Sequence, residues 1–201
     1  MELSPAERSL IYQALSRGFS FPQDELYVSL GDGSLFEVLS LVGEEAERLL
    51  SEAVLPSSLD DLQQEYTNSF DVGRGAGPPC SLYEGSHVSW GRTGIFEELL
   101  RFYDFFGLEL SPSARELPNH LTVELEFMHY LTFLELEAED PSSYQQAQKD
   151  FLERHLCQWV PPLRTGIERE GRTSVFRVLG AILERFIAAE ALRFGLGSDQ
   201  Q

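Results

Sequence analysis

The stretch ELPNHLTVELEFMHYL, residues 116–131, decides the fold class. Pro118 and Asn119 mark a helix start, and Asn119 is the better N-cap residue because its side-chain oxygen can accept an orphan backbone N–H. At about 100° per residue, and with His120 as origin, Leu131, Phe127 and Val123 fall on one stripe. Glu124 joins that stripe one turn beyond His120, while Glu126 and His129 turn to the opposite, polar side. A carboxylate and an imidazole inside an apolar stripe carry a desolvation cost. They must pair with each other, pair with a third group or line a wet pocket; a purely structural His120–Glu124 pair near the helix start remains open.

Working outward, almost every segment carries helical signals. Ser4-Pro5-Ala6-Glu7 has the capping-box pattern, with Pro5 at the first helical position and Leu10, Ile11, Ala14 and Leu15 as an apolar stripe; Gly18 ends it. A short helix is expected after Pro22. Ser34 can cap a longer one that carries Leu35, Val38, Leu39, Leu41 and Val42, with Gly43 weakening its middle. Another runs from Ser58 towards Phe70. Further helices are expected near 94–107, 119–138, 143–158 and 173–194. No stretch alternates with period two and β-branched enrichment, so the expected class is all-α: a single-domain helical bundle over 1–201, with no sheet.

Residues 71–93 break the pattern, with five glycines and the Pro78-Pro79 pair. Loops longer than about 12 to 15 residues are uncommon in compact domains and tend to be functional or disordered. This one also holds Tyr83, Val88 and Trp90, which slack linkers usually lack, so an ordered functional loop is expected. Residues 196–201 read as a frayed tail.

Composition narrows the function. With 42% hydrophobic and 11% aromatic residues in 201, the chain can bury a real core. No apolar run approaches the roughly 18 to 20 residues of a membrane span. Neither a secretory signal nor an arginine pair opens the sequence, and Cys80 and Cys157 form no framework, so a reducing cytoplasm is the simplest home. There are 33 acidic residues against 15 basic ones, a formal net charge of −18, and Lys149 is the single lysine. Such a chain repels nucleic acid and anionic lipid and attracts a cationic partner. Solubility alone also accounts for the acidity.

Signals for catalysis are thin. Glu84–His87 and Glu126–His129 both match Glu-x-x-His, which raises a carboxylate-bridged di-metal bundle enzyme as the alternative. The first match lies in the loop, however, and the second on a polar face. Gly73–Gly77 follows no strand and precedes no phosphate-binding lysine. Cys80 has no evident base. The expectation is no metal and no cofactor. Phe102, Tyr103, Phe105 and Phe106 at helical spacing read first as core, and their density also suits a groove that accepts an apolar helix.

Four blocks together resemble the redox-enzyme maturation chaperones of the TorD, DmsD and NarJ type. They are EYTNSF (65–70), PPCSLYEG (78–85), the ELPNHLTVELEFM run from Glu116, and FLxxHLxxW from Phe151 to Trp159. The third is similar to the family's E-x-P-D-H signature. The resemblance implies an all-α fold without an active site. It also implies binding of the N-terminal twin-arginine signal peptide, or an equivalent N-terminal segment, of a molybdopterin enzyme subunit until its cofactor is inserted. Residues carried over to the peptide site are His120, Asn119, Tyr83 and Glu84. Asn119 departs from the family's Asp: an amide can hydrogen-bond an arginine but supplies no charge, so Glu116, Glu124 or Glu84 are the candidates for that charge. Monomer and homodimer both stay open.

Overall fold

In the computed structural model the described residues are 3–72, 78–88, 92–109, 116–170 and 174–197; Trp90, the Gly73–Gly77 run and the tail beyond 197 lie outside them. Among the described residues there is no strand, and the all-α expectation is met.

Helix α1 (Pro5–Gly18) begins as its sequence dictates. The Glu7 backbone N–H donates to Ser4 Oγ at 3.3 Å, and the Ser4 N–H donates to Glu7 Oε2 at 2.8 Å. Helix α2 (Asp24–Gly31) follows Pro22. The single helix expected from Ser34 is instead two, α3 (Ser34–Ser40) and α4 (Glu44–Ser51). Gly43 separates them at φ 128°, a backbone region that only glycine enters without strain. Ser34 is the first helical residue rather than the cap, because Gly33 takes that position at φ 81°. Helix α5 (Leu59–Tyr66) is capped by Ser58 and runs into a π-helical turn, Thr67–Asp71. That turn points Phe70 inward against Phe19, Tyr66 and Phe176, in edge-to-face contacts of 5.1–6.2 Å between centroids.

The second half holds α6 (Arg92–Phe105), α7 (Leu121–Glu137), α8 (Ser142–Phe151), α9 (Cys157–Glu170) and α10 (Ser174–Arg193). The helix expected over 143–158 is interrupted by a π turn, Leu152–Leu156, and then continues to Glu170. Pro161 and Pro162 lie inside α9 although proline removes a ladder donor. Here they fall close to the start of α9, where the helix restarts after the π turn, and the Gln158 side-chain amide donates to the Glu153 carbonyl at 2.8 Å.

Helices α1 and α7 pack antiparallel along small side chains. Ser9 Oγ donates to the His129 carbonyl at 3.3 Å, and Ser16 Oγ to the Thr122 carbonyl at 3.2 Å. A Cβ on Gly180 would stand 3.2 Å from Ile167, so this glycine lets α10 close on α9. Ile11, Leu125, Phe151, Trp159 and Phe186 are fully buried in the apolar core that joins these helices.

Inside the core lies a charged cluster with no signature in the sequence. Arg8 is fully buried; its Nε and Nη2 reach Glu190 at 2.7–2.9 Å, its Nη1 reaches Glu135 at 2.8 Å, and it also bonds Gln148. Tyr12 donates to Glu190 at 3.0 Å. Four helices, α1, α7, α8 and α10, therefore meet at one guanidinium whose planar fork satisfies several acceptors at once. Despite burial, the Glu135 carboxyl is held down to about 2 by hydrogen bonds from Gln148, Gln145 and Arg8.

Candidate functional site

The turn Leu117–Asn119 delivers the chain to α7. Its geometry comes from two bonds: the His120 N–H donates to the Leu117 carbonyl at 3.0 Å, and the Tyr103 hydroxyl donates to the Pro118 carbonyl at 2.9 Å. The N-cap is His120, not Asn119 as the sequence suggested. His120 Nδ1 accepts from the Thr122 backbone N–H at 3.3 Å and lies 2.8 Å from Thr122 Oγ1. An accepting Nδ1 leaves the proton on Nε2, which faces Glu116 Oε2 at 3.6 Å.

The loop meets this turn across a short antiparallel bridge between Tyr83 and His120. The Glu84 N–H donates to the Asn119 carbonyl at 3.0 Å and the Leu121 N–H to the Leu82 carbonyl at 2.8 Å. Tyr83 stands edge-on to the His120 ring with centroids 4.8 Å apart, and its hydroxyl donates to Glu116 Oε2 at 2.6 Å. Four predicted residues, Tyr83, Glu116, Asn119 and His120, thus come together. Burial pushes the His120 imidazole down to about 4, against a smaller opposing effect of Glu116, so it is neutral near pH 7.

Glu84 and Glu124 occupy a different place. They are 1% and 0% exposed and lie behind the turn, where neither carboxyl reaches solvent. Both Glu84 oxygens lie 3.1 Å from His155 Nδ1, and Trp159 Nε1 donates to Glu124 Oε2 at 3.0 Å. Burial first, and the neighbouring Glu84 second, raise the Glu124 carboxyl well above its ordinary value and favour its neutral acid form. His120 and Glu124 therefore share the buried side of the chain without pairing. Residue spacing had no means of finding His155 and Trp159 as partners, yet both stand in the FLxxHLxxW block.

The Glu-x-x-His matches do not converge. His87 Nε2 lies 2.7 Å from the Ser81 carbonyl and its ring stacks on Trp159, Glu126 is exposed, and His129 Nδ1 lies 2.8 Å from Ser9 Oγ. Among the described residues no group of three or more His, Cys, Asp or Glu side chains is placed to hold a metal. No helix of the described residues is long and apolar enough to cross a membrane.

Two open cavities flank the Tyr83–Glu116–His120 contact. One, of about 500 Å³, lies towards α1 and α7 and is lined by Ser20, Phe21, Gln23, Val123 and Glu126 together with Glu116 and His120. The other, of about 460 Å³, lies towards the π turn and α6, with Phe70, Pro78, Phe96, Leu117 and Asn119 among its walls. The aromatic run of α6 divides: Tyr103 is buried, whereas Phe102, Phe105 and Phe106 line a third cleft of about 550 Å³ against α8.

The described residues form a strand-free helical bundle whose loop and helix start frame two cavities. The fold is like that of a protein from Archaeoglobus fulgidus described as a redox enzyme maturation protein, with a TM-score of 0.51, 18% identity, and coverage of 90% of this chain and 92% of that one. Residues 40–165 match the family described as Nitrate reductase delta subunit. The perchlorate reductase assembly chaperone protein of Dechloromonas aromatica (strain RCB) is 36% identical over 207 residues, covering 95% of this chain and 92% of that protein. The chlorate reductase assembly chaperone protein of Ideonella dechloratans is 33% identical over 189 residues, 92% and 88% of the two chains. The selenate reductase assembly chaperone protein of Thauera selenatis is 39% identical over 141 residues, 68% and 72%. The chain belongs to the Nitrate reductase delta subunit family, within the TorD/NarJ type of redox-enzyme chaperones.

Proposed function

We propose that this chain is a non-catalytic cytoplasmic chaperone, acting as one helical domain. Its client is the catalytic subunit of a molybdopterin oxidoreductase, of the kind that reduces an oxyanion. It holds the client's N-terminal segment, of twin-arginine or equivalent type, until cofactor insertion and assembly. The observation that carries this reading is the Glu116 carboxylate, held by Tyr83 and facing His120 at the edge of an open cavity. A fixed carboxylate beside apolar walls suits a peptide that combines arginine with an apolar run. The net charge of −18 favours encounter with such a segment. In this reading Glu116, Asn119, His120 and Tyr83 face the peptide, while Glu84 and Glu124 support the turn from behind.

Calorimetric titration with a synthetic peptide bearing an arginine pair before an apolar run tests it. Raising salt from about 0.05 to 0.5 M should weaken binding moderately, because the apolar part carries most of the affinity. Changing Arg-Arg to Lys-Lys should cost less than placing a charge in the apolar run. A charged run that binds as well as the parent would remove the groove from the proposal. Binding indifferent to both salt and the arginines would remove its electrostatic half.

A further inference from the structure

The two cavities beside the Tyr83–Glu116–His120 contact differ in chemistry, and the backbone deals consecutive residues to opposite sides. Glu116 lines the cavity towards α1 and its neighbour Leu117 lines the other; His120 lines the first and Asn119 the second. Tyr83, edge-on to His120 and bonded to Glu116, forms the partition between them.

The first compartment has two carboxylates, Glu116 and Glu126, in its lining, and no lysine or arginine among its described walls. Its imidazole is held neutral by burial, so it does not cancel that charge. Glu126 is exposed and takes one long bond from Ser16 Oγ, at 3.3 Å. The second compartment is walled by Phe70, Pro78, Phe96 and Leu117, with Asp71 at an exposed edge. Asn119 is 3% exposed, and its Oδ1 is buried without a hydrogen-bond partner. A buried acceptor left unsatisfied carries an uncompensated desolvation cost, so a ligand N–H delivered there is worth more than one delivered to water.

From this arrangement we infer that the site is a two-compartment reader of an extended segment. A cationic side chain enters between Glu116 and Glu126. An apolar side chain enters between Phe70, Phe96 and Leu117, and a segment N–H donates to Asn119 Oδ1. Successive side chains of an extended chain point to opposite sides, which lets one segment address both compartments. Glu126, Leu117 and Asn119 are thereby specificity-determining residues. The neutral Asn119 selects a backbone or amide N–H at a point where a second carboxylate would call for another cation. This inference rests on the peptide-binding reading above and says which part of the segment each compartment reads.

The test crosses two surface variants with three peptides. Glu126→Gln and Leu117→Asp both alter exposed residues, so folding is not at issue. The peptides are the arginine-pair parent, its citrulline counterpart (the same shape without the charge), and a version with serines in the apolar run. Glu126→Gln should weaken the parent about threefold and leave the citrulline peptide unchanged. Leu117→Asp should weaken parent and citrulline peptides alike, by about tenfold or more, and barely alter the serine version. Equal losses against all three peptides, or the opposite pairing of variant with peptide, overturn the two-compartment assignment while peptide binding itself stands. If the unsubstituted chain does not bind the parent at all, the underlying reading falls and the assignment with it.

Discussion

Glu84 and His155, 71 positions apart, meet inside the bundle with both carboxyl oxygens 3.1 Å from the imidazole Nδ1. This contact fastens the loop that carries Tyr83 to the π turn between α8 and α9. The Glu84 backbone N–H is at the same time bonded to Asn119, so one residue ties the loop, the start of α7 and the α8–α9 junction together.

Breaking a buried pair by removing one partner is costly because the other is left uncompensated. Glu84→Ala and His155→Ala should each lower stability by about 3 kcal/mol or more, as measured by urea unfolding. The double variant should cost clearly less than the sum of the two. Additive losses would mean that the two groups do not interact.

His120 serves as helix cap and as cavity wall, and substitutions separate the roles. His120→Ala should cost about 1 kcal/mol of stability through the lost cap and weaken peptide binding about fivefold or more. His120→Asn restores a capping acceptor, so stability should recover while affinity does not. Recovery of both on calorimetry would leave His120 as a cap alone.

Two buried groups give opposite pH dependences. His120 resists protonation until about pH 4, whereas an unfolded histidine takes its proton near 6.5, so between those values the unfolded state binds more protons and stability falls as pH falls. Glu124 keeps its proton in the fold above 4.5, where the unfolded chain has lost it, so its contribution falls as pH rises. Unfolding free energies measured from about pH 4.5 to 6.5 should therefore decline more steeply with rising pH in His120→Asn than in the unsubstituted chain. In Glu124→Gln they should rise more steeply. The reverse order would contradict both environments.

Arg8 is the third buried liability. Arg8→Met leaves Glu190 without its cation and Glu135 with Arg193 as its remaining one, and should destabilise by about 3–5 kcal/mol. Arg8→Lys should rescue little, since an ammonium cannot reproduce the contacts of Nε, Nη1 and Nη2 with three side chains. Thermal melts of the two variants check this; full rescue by lysine would show that charge alone matters there.

The amino-acid sequence by itself determined the features that depend on residues within a turn of one another. The capping box at Ser4–Glu7, the helix start at Ser58, the end of α1 at Gly18 and the outward face of Glu126 follow from spacing and backbone preference, and each is found. The inward placement of both His120 and Glu124 was also legible, because helix phase is local. Local preference misled where tertiary packing had the larger energy: Asn119, although the better cap by type, gave that position to His120. Only the tertiary structure decided the partners. Arg8 with Glu190, Glu84 with His155, Trp159 with Glu124 and Tyr83 with Glu116 are separated by 182, 71, 35 and 33 residues. Pairings at such distances are selected by the desolvation cost of burying a polar group, which the folded chain meets with whichever complementary group the packing of other helices brings within reach.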